Sequence, residues 1–85
     1  MSAATRQLQV RFFAILREQA GCSTLTIDTA APDAGALYAE LQGRCPGLVF
    51  PAKLLRVSVN ERYGEMAAPL AAGDRIVYIP PVAGG

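Results

Sequence analysis

The fold is decided near the start of the chain by residues 7–28, QLQVRFFAILREQAGCSTLTID. Side chains alternate between two faces over residues 7–16, which is typical of a strand with one face in the core. The inward face is predicted to carry Leu8, Val10, Phe12 and Ala14, and the outward face Gln9, Arg11, Phe13 and Ile15. Residues 24–28 alternate again, with Leu25 and Ile27 inward, after a turn around Gly21. The two segments predict an antiparallel hairpin with a loop of several residues.

A helix is predicted after this hairpin. Asp33 can accept hydrogen bonds from the first free amides of a helix that begins there. Leu37, Tyr38 and Leu41 follow at helical spacing, and the Gly- and Pro-containing residues 43–47 end the helix after about three turns. Residues 48–55, interrupted by Pro51, are interpreted as a loop or a short helix.

The second half of the chain predicts two more strands. Residues 56–60 place Val57 and Val59 inward, residues 60–64 are interpreted as a turn, and residues 70–74 end in a Gly-Asp pair that precedes the last strand. That strand, residues 75–79, places Ile76 and Tyr78 on one face and its other three side chains on the opposite face, namely Arg75, Val77 and Ile79.

The order strand, strand, helix, strand, strand predicts an α+β fold. One main helix laid across a mixed four- to five-stranded sheet gives a β-grasp (ubiquitin-like) roll over residues 7–79. Residues 1–6 are expected to form a loose N-terminal leader, and residues 80–85 an extended C-terminal Gly-Gly tail.

Composition excludes several classes of function. The 85 residues are 52% hydrophobic, which suits one compact domain, and the net charge of +1 is far below what nucleic acid or an anionic membrane requires. The chain has no histidine, and Cys22 and Cys45 form no CxxC pair, so we expect no metal site and free thiols. The longest apolar run near the start, residues 12–16, is too short to span a bilayer. These features predict a cytoplasmic protein without an active site of its own.

The chain ends in Pro80, Pro81, Val82, Ala83, Gly84 and Gly85. Two prolines fix the backbone and cannot continue a sheet, so they are expected to direct the tail away from the domain. Six residues at about 3.5 Å each reach roughly 20 Å, which is enough to enter a pocket of another protein. The glycines fit a narrow channel because they have no Cβ atom.

The reactive group of such a tail is the carboxylate of Gly85. A free carboxylate is a poor electrophile, but its adenylate, formed with ATP, can be attacked by sulfide or a persulfide to leave a terminal thiocarboxylate. The sequence has no GxxxxGK[ST] loop to bind ATP. We therefore expect no bound cofactor, and ATP to be used by an activating partner enzyme.

Several short motifs are spread along residues 8–85. They are VRFFA at 10–14, LRE at 16–18, KLL at 53–55, VN at 59–60, Leu70 with GD at 73–74, and PPVAGG at 80–85. Together they resemble the small subunit of molybdopterin synthase, a ubiquitin-like sulfur-carrier family. The double-proline, double-glycine ending is the most specific of them.

This resemblance implies a non-catalytic, sulfur-donating subunit. Gly85 would be adenylated by an ATP-dependent enzyme and thiocarboxylated from a sulfur donor. Residues 80–84 would then insert into the large synthase subunit, which is expected to hold the catalytic residues, in a heterotetramer. There the sulfur would pass to cyclic pyranopterin monophosphate to form molybdopterin.

A partner-binding face is predicted from the strand periods and from the resemblance. Phe13 and Ile79 fall on the outward faces of their strands, and Tyr63 falls in the turn between strands, so together they offer an apolar patch to the activating enzyme and the large subunit. The alternative is that Phe13 and Ile79 pack beneath residues 48–55 as a minor core. The cysteines are interpreted as a turn residue and a helix-end residue, and Lys53, Arg56 and Arg62 as solvated charges.

Three other functions stay open. Sulfur carriers for thiamine or transfer-RNA thiolation share the fold and the Gly-Gly ending, although the PPV before the glycines favours molybdopterin. A ubiquitin-like modifier would form isopeptide bonds with lysines through the same adenylate. A β-grasp interaction module would have an inert terminus.

Overall fold

The computed structural model describes residues 4–81, which form five strands and two α-helices. In chain order the elements are β1 (Arg6–Phe12), α1 (Ile15–Ala20), β2 (Thr24–Thr29), α2 (Ala34–Arg44), a 3₁₀ turn (Ala52–Leu54), β3 (Arg56–Val59), β4 (Arg62–Gly64) and β5 (Arg75–Ile79). Among these residues, no helix has the length and apolar character needed to cross a membrane.

The five strands form one mixed sheet in the order β2-β1-β5-β3-β4. β1 pairs with β2 as the predicted antiparallel hairpin, and it pairs with β5 in parallel. β3 joins β5 and β4, both antiparallel. The first and last strands of the fold therefore lie side by side at the centre of the sheet.

α2 covers one face of the sheet, as predicted, and it begins where the sequence indicated. The side chain of Asp33 accepts a hydrogen bond from the backbone N–H of Ala36 at 2.8 Å, and the helix ends at Arg44. Its inward stripe consists of the fully buried Leu37, Tyr38 and Leu41. The α+β, β-grasp architecture with one main helix is thus confirmed.

Two tyrosines join helix and sheet inside the core. The rings of Tyr38 and Tyr78 lie 5.1 Å apart between centroids, and both side chains are fully buried. The Tyr78 hydroxyl donates to the carbonyl oxygen of Ala34 at 2.7 Å, and the Tyr38 hydroxyl donates to that of Phe50 at 2.8 Å. Burial raises the pKa of both phenols, so they remain hydrogen-bond donors at neutral pH.

The loop of the first hairpin contains a helix that the sequence analysis missed. β1 ends at Phe12, Ala14 has a φ of 52° and lies exposed, and α1 follows, so the alternation predicted to continue to residue 16 is wrong beyond Phe12. Residues 15–20 are mostly good helix formers, and Gly21, with a φ of 80°, ends α1 in a left-handed conformation. Leu16 on this helix is fully buried.

The predicted turn over residues 60–64 is a two-residue turn followed by a strand. Asn60 and Glu61 both have positive φ, 52° and 70°, as a tight hairpin of the I′ type requires. The Asn60 side chain also accepts from the N–H of Arg75 at 2.9 Å and donates to Asp74 at 2.8 Å, which connects this turn to the start of β5. Tyr63 therefore lies in β4 and not in a turn.

β1 begins at Arg6, the last residue of the segment expected to be a leader. The Arg6 guanidinium donates hydrogen bonds to the carbonyl oxygens of Thr29, Ala31 and Leu70 at 3.0, 2.6 and 3.0 Å. It thereby joins the end of β2 to the segment before α2 and to the segment before β5. Arg6 is a structural residue of the domain.

Arg6→Met is expected to lower the free energy of unfolding by about 2 kcal/mol, because three carbonyl oxygens lose a charged donor. The control is Arg17→Met, at an exposed position of α1 whose side chain makes no hydrogen bond within residues 4–81. Urea unfolding at 25 °C measures both variants. Equal stability of the two would contradict the role assigned to Arg6.

Candidate functional site

The C-terminal tail leaves the sheet from its centre. The ladders of β5 end with the pairs Phe12–Tyr78 and Arg56–Ile79. Pro80 and Pro81 follow at once, and because proline has no N–H, neither ladder can continue through them. The tail therefore starts from a strand that is paired on both sides.

The rest of the predicted tail, Val82, Ala83, Gly84 and Gly85, lies outside the described residues. The roles predicted for Gly85 as the thiocarboxylate and for residues 82–84 as the inserting segment stay predictions. What the structure places is the base of the tail and the surface around it.

A groove of about 700 Å³ runs beside the base of the tail. Ile79, Pro80 and Pro81 form one side, and residues 52–56 with residues 64–66 form the other. Its charged side chains are Lys53, Arg56 and Glu65. The tail thus emerges next to a mixed apolar and charged surface.

The three residues predicted to bind partners lie on the same, open face of the sheet. One step beyond the Phe12–Tyr78 pair, Phe13 reaches the level of Ile79, and Ile79 pairs with Arg56. On the next level, Val77 pairs with Ser58, and Ser58 pairs with Tyr63. Because alternate residues of a strand share a face, Phe13, Tyr63, Val77 and Ile79 form one patch, which we call the apolar patch.

This patch is accessible. Phe13 is 45% exposed and Tyr63 is 82% exposed, while Val77 and Ile79 are half-buried by their neighbours. The alternative of a minor core beneath residues 48–55 does not fit Phe13, because its side chain is exposed. For Ile79, which is half-buried and lines a groove with residues 52–56, the alternative stays a prediction. Residues 48–55 contact both helices, since the Phe50 carbonyl accepts from Tyr38 of α2 and the amides of Val49 and Phe50 donate to the Gln19 side chain of α1 at 3.0 Å.

Sequence reasoning did not include Val77 in the patch. The signal was present, since the alternation of β5 places Val77 on the same face as Ile79.

Arginines surround the apolar patch. Arg11, Arg56 and Arg75 are exposed on the same face, and the guanidinium of Arg11 lies 5.4 Å from the centre of the Phe13 ring, which is cation–π geometry. Within residues 4–81 the only salt bridge joins Glu40 and Arg44 of α2, at 3.7 Å. The three arginines of the open face therefore have no acidic partner in this part of the molecule.

The cysteines contribute no recognisable site. Cys22 lies between α1 and β2, Cys45 caps the C-terminus of α2, and both are half-buried free thiols. In the described part of the chain, no three His, Cys, Asp or Glu side chains are placed to hold a metal ion.

A mixed five-stranded sheet, one main helix and a proline-led segment leaving the central strand define a ubiquitin-like protein of the β-grasp class. The chain belongs to the ThiS family, whose model matches residues 10–85. It is a ubiquitin-like sulfur carrier of the ThiS type. No curated protein compared with this sequence matches it.

Solved structures agree with this assignment. SAMP1 from Haloferax volcanii is 30% identical, with a TM-score of 0.77 over 93% of this chain and 99% of that one. A chain in the complex of subunits 1 and 2 of molybdopterin-converting factor from Helicobacter pylori is also 30% identical, with a TM-score of 0.64 and the same coverage. A ubiquitin from Caldiarchaeum subterraneum, at 18% identity, shares the fold, with a TM-score of 0.62 over 96% of this chain and all of its own.

Two adjacent phenylalanines test the division between core and open face. Phe12→Ala is expected to cost about 3–5 kcal/mol of unfolding free energy, because Phe12 is fully buried. Phe13→Ala is expected to cost less than about 1 kcal/mol, because its ring lies on the surface. Urea unfolding of both variants is the measurement, and a similar loss for the two would show that Phe13 belongs to a core.

Proposed function

We propose that this chain is the sulfur carrier of molybdenum cofactor biosynthesis. The observation that carries the proposal is the geometry at the end of β5, where a tail with the sequence PPVAGG begins next to an accessible apolar patch. The patch would give a partner a place to dock, and the six residues of the tail are enough to reach roughly 20 Å when fully extended.

The chemistry takes place at the carboxylate of Gly85. In an activating enzyme the carboxylate attacks the α-phosphate of ATP, pyrophosphate leaves, and the acyl-adenylate forms. Sulfide then attacks the acyl carbon and AMP leaves, which yields the thiocarboxylate. A persulfide donor would instead form an acyl disulfide, and a thiol would then have to cleave it and leave as a disulfide. In the large synthase subunit the thiocarboxylate sulfur attacks cyclic pyranopterin monophosphate, and water hydrolyses the acyl–sulfur bond, so that the sulfur stays on the pterin and Gly85 returns to a carboxylate.

The choice of pathway is supported by one relative in particular. The Helicobacter pylori chain, 30% identical over nearly its whole length, forms a complex of subunits 1 and 2 of molybdopterin-converting factor. By analogy the large subunit is one partner of this chain. The chemistry of activation calls for an adenylating enzyme as the other partner. The catalytic residues of sulfur transfer then belong to the large subunit.

A second candidate function is protein modification. The Haloferax volcanii relative at 30% identity is a small archaeal modifier protein. Such a modifier uses the same adenylate but ends with the tail attached to a lysine. Carriers for thiamine or transfer-RNA thiolation differ only in the acceptor of the sulfur.

Intact-mass analysis separates these functions. After incubation with ATP, the cognate adenylating enzyme and a sulfur donor, the chain is expected to gain the mass of one oxygen-to-sulfur exchange. The control is the chain without Gly85, which should not change. Lysine adducts would indicate a modifier, and an unchanged wild-type mass would indicate an inert module.

The same thiocarboxylated chain then tests the pathway. With the cognate large subunit and cyclic pyranopterin monophosphate, we expect molybdopterin to form, and the chain without Gly85 to give none. Formation of the thiocarboxylate without molybdopterin would assign the chain to another thiolation pathway.

Phe13→Asp is expected to abolish adenylation while the domain stays folded, because a carboxylate at the patch replaces the apolar contact. The matched control is Val49→Asp, at a side chain that is 68% exposed but lies outside the open face. ATP–pyrophosphate exchange measures adenylation, and thermal unfolding reports folding. Normal exchange by folded Phe13→Asp would contradict the docking role.

A further inference from the structure

The open face has a second region, farther from the tail than the apolar patch. It is a groove of about 460 Å³ that crosses β2, β1, β5 and β3. Thr24 and Thr26 line it on the side of β2, Ser58 lies on β3, and Arg11 and Arg75 come from the two central strands. This polar groove is not needed for the core and is not covered by any described part of the chain.

The two arginines are placed to act together. Gln9 pairs with Arg75 and Arg11 pairs with Val77, so the two guanidinium-bearing residues are diagonal neighbours on parallel strands. Neighbouring side chains on one sheet face lie close enough to contact the same group. The Arg11 side chain leans over the Phe13 ring, so it borders both the polar groove and the apolar patch.

The charge of the groove indicates the chemistry of its occupant. Arg11 and Arg75 have no acidic partner among residues 4–81, and Glu61 is the acidic residue that lines the groove. A net excess of one positive charge suits one or two carboxylates and is far too small for the phosphates of a nucleic acid. Planar guanidinium groups pair well with carboxylates, and the threonine and serine hydroxyls can donate further hydrogen bonds.

We propose that Arg11 and Arg75 form a carboxylate-binding site for the partner proteins of this carrier. A partner that covers the apolar patch with an apolar surface presents an Asp or Glu side chain to the polar groove next to it. This inference rests on the proposed function, because it describes how the adenylating enzyme and the large subunit recognise the chain. The apolar patch gives contact area, and the arginine pair fixes orientation and speeds association.

Charge reversal at Arg75 tests the site. Arg75→Glu is expected to raise the Kd for the cognate adenylating enzyme, and separately for the cognate large subunit, by about tenfold or more. The matched control is Arg44→Glu, which makes the same charge change on α2, on the other side of the sheet. This control should stay within about twofold of wild type, since screening weakens the effect of a distant surface charge.

Three further readouts separate an effect on docking from an effect on the fold or on the chemistry. The rate of adenylation at saturating Arg75→Glu should equal that of wild type, because the residue acts in binding. The affinity of wild type should fall with added salt more steeply than that of Arg75→Glu. Thermal unfolding checks that both variants are folded.

An equal Kd for Arg75→Glu and Arg44→Glu, with both partners, would overturn the carboxylate site. Wild-type binding to neither partner would overturn it as well. If wild type binds its partners but is never thiocarboxylated, the proposed function fails, and the Kd comparison still decides whether the site exists.

Discussion

The position of β5 is the constraint on which the rest of the structure depends. It is paired on both sides, with β1 in parallel and with β3 in antiparallel orientation, and its period of two divides its side chains between the two faces. Ile76 and Tyr78 enter the core, where the Tyr78 hydroxyl is bonded to the first turn of α2. Two β-ladders and a hydrogen bond to α2 therefore hold β5 in place. As a result, the base of the tail has a fixed position relative to the open face.

One helix can cover only one face of a five-stranded sheet. Packing in the core therefore does not determine which residues the other face carries. Folding alone would favour polar side chains there, yet Phe13 and Tyr63 are large, apolar and exposed. The core is complete without them, and exposed apolar side chains grouped in this way are typical of a protein-binding surface, in agreement with the docking role proposed above. The exposed arginines beside them keep this face hydrated when no partner is bound.

The sequence analysis predicted the elements whose local residue pattern matches the burial of their side chains. It failed at the places where the backbone turns. The hairpin strands, α2 with its Asp33 cap and the faces of β5 follow from alternation, helical spacing and one capping residue.

The helix α1 was missed because the apolar run through Leu16 continues the strand pattern, although the chain has already turned at Ala14. β4 was missed because three residues are too few for a period, and because positive φ at Asn60 and Glu61 is visible only in the structure. The open face could be predicted because Phe13 and Ile79 contradict the expected polar alternation. The diagonal placement of Arg11 beside Arg75 needs the parallel β1–β5 register, which no local pattern specifies.

Under the proposed function, the base of the tail and the docking surface belong together, because Ile79 lies in the apolar patch and is followed directly by Pro80 and Pro81. Once a partner holds the apolar patch, entry of the tail into its active site becomes an intramolecular step, and the effective concentration of the terminal carboxylate is highest when the tail length matches the span. A tail that starts beside the patch keeps this span short, and its two prolines reduce the conformational entropy that insertion would cost. Under the proposed function two partners use the same tail in succession, so both would dock at its base and compete for one surface. Exchange between them requires that each contact be modest, which a small apolar patch beside an exposed arginine pair would allow.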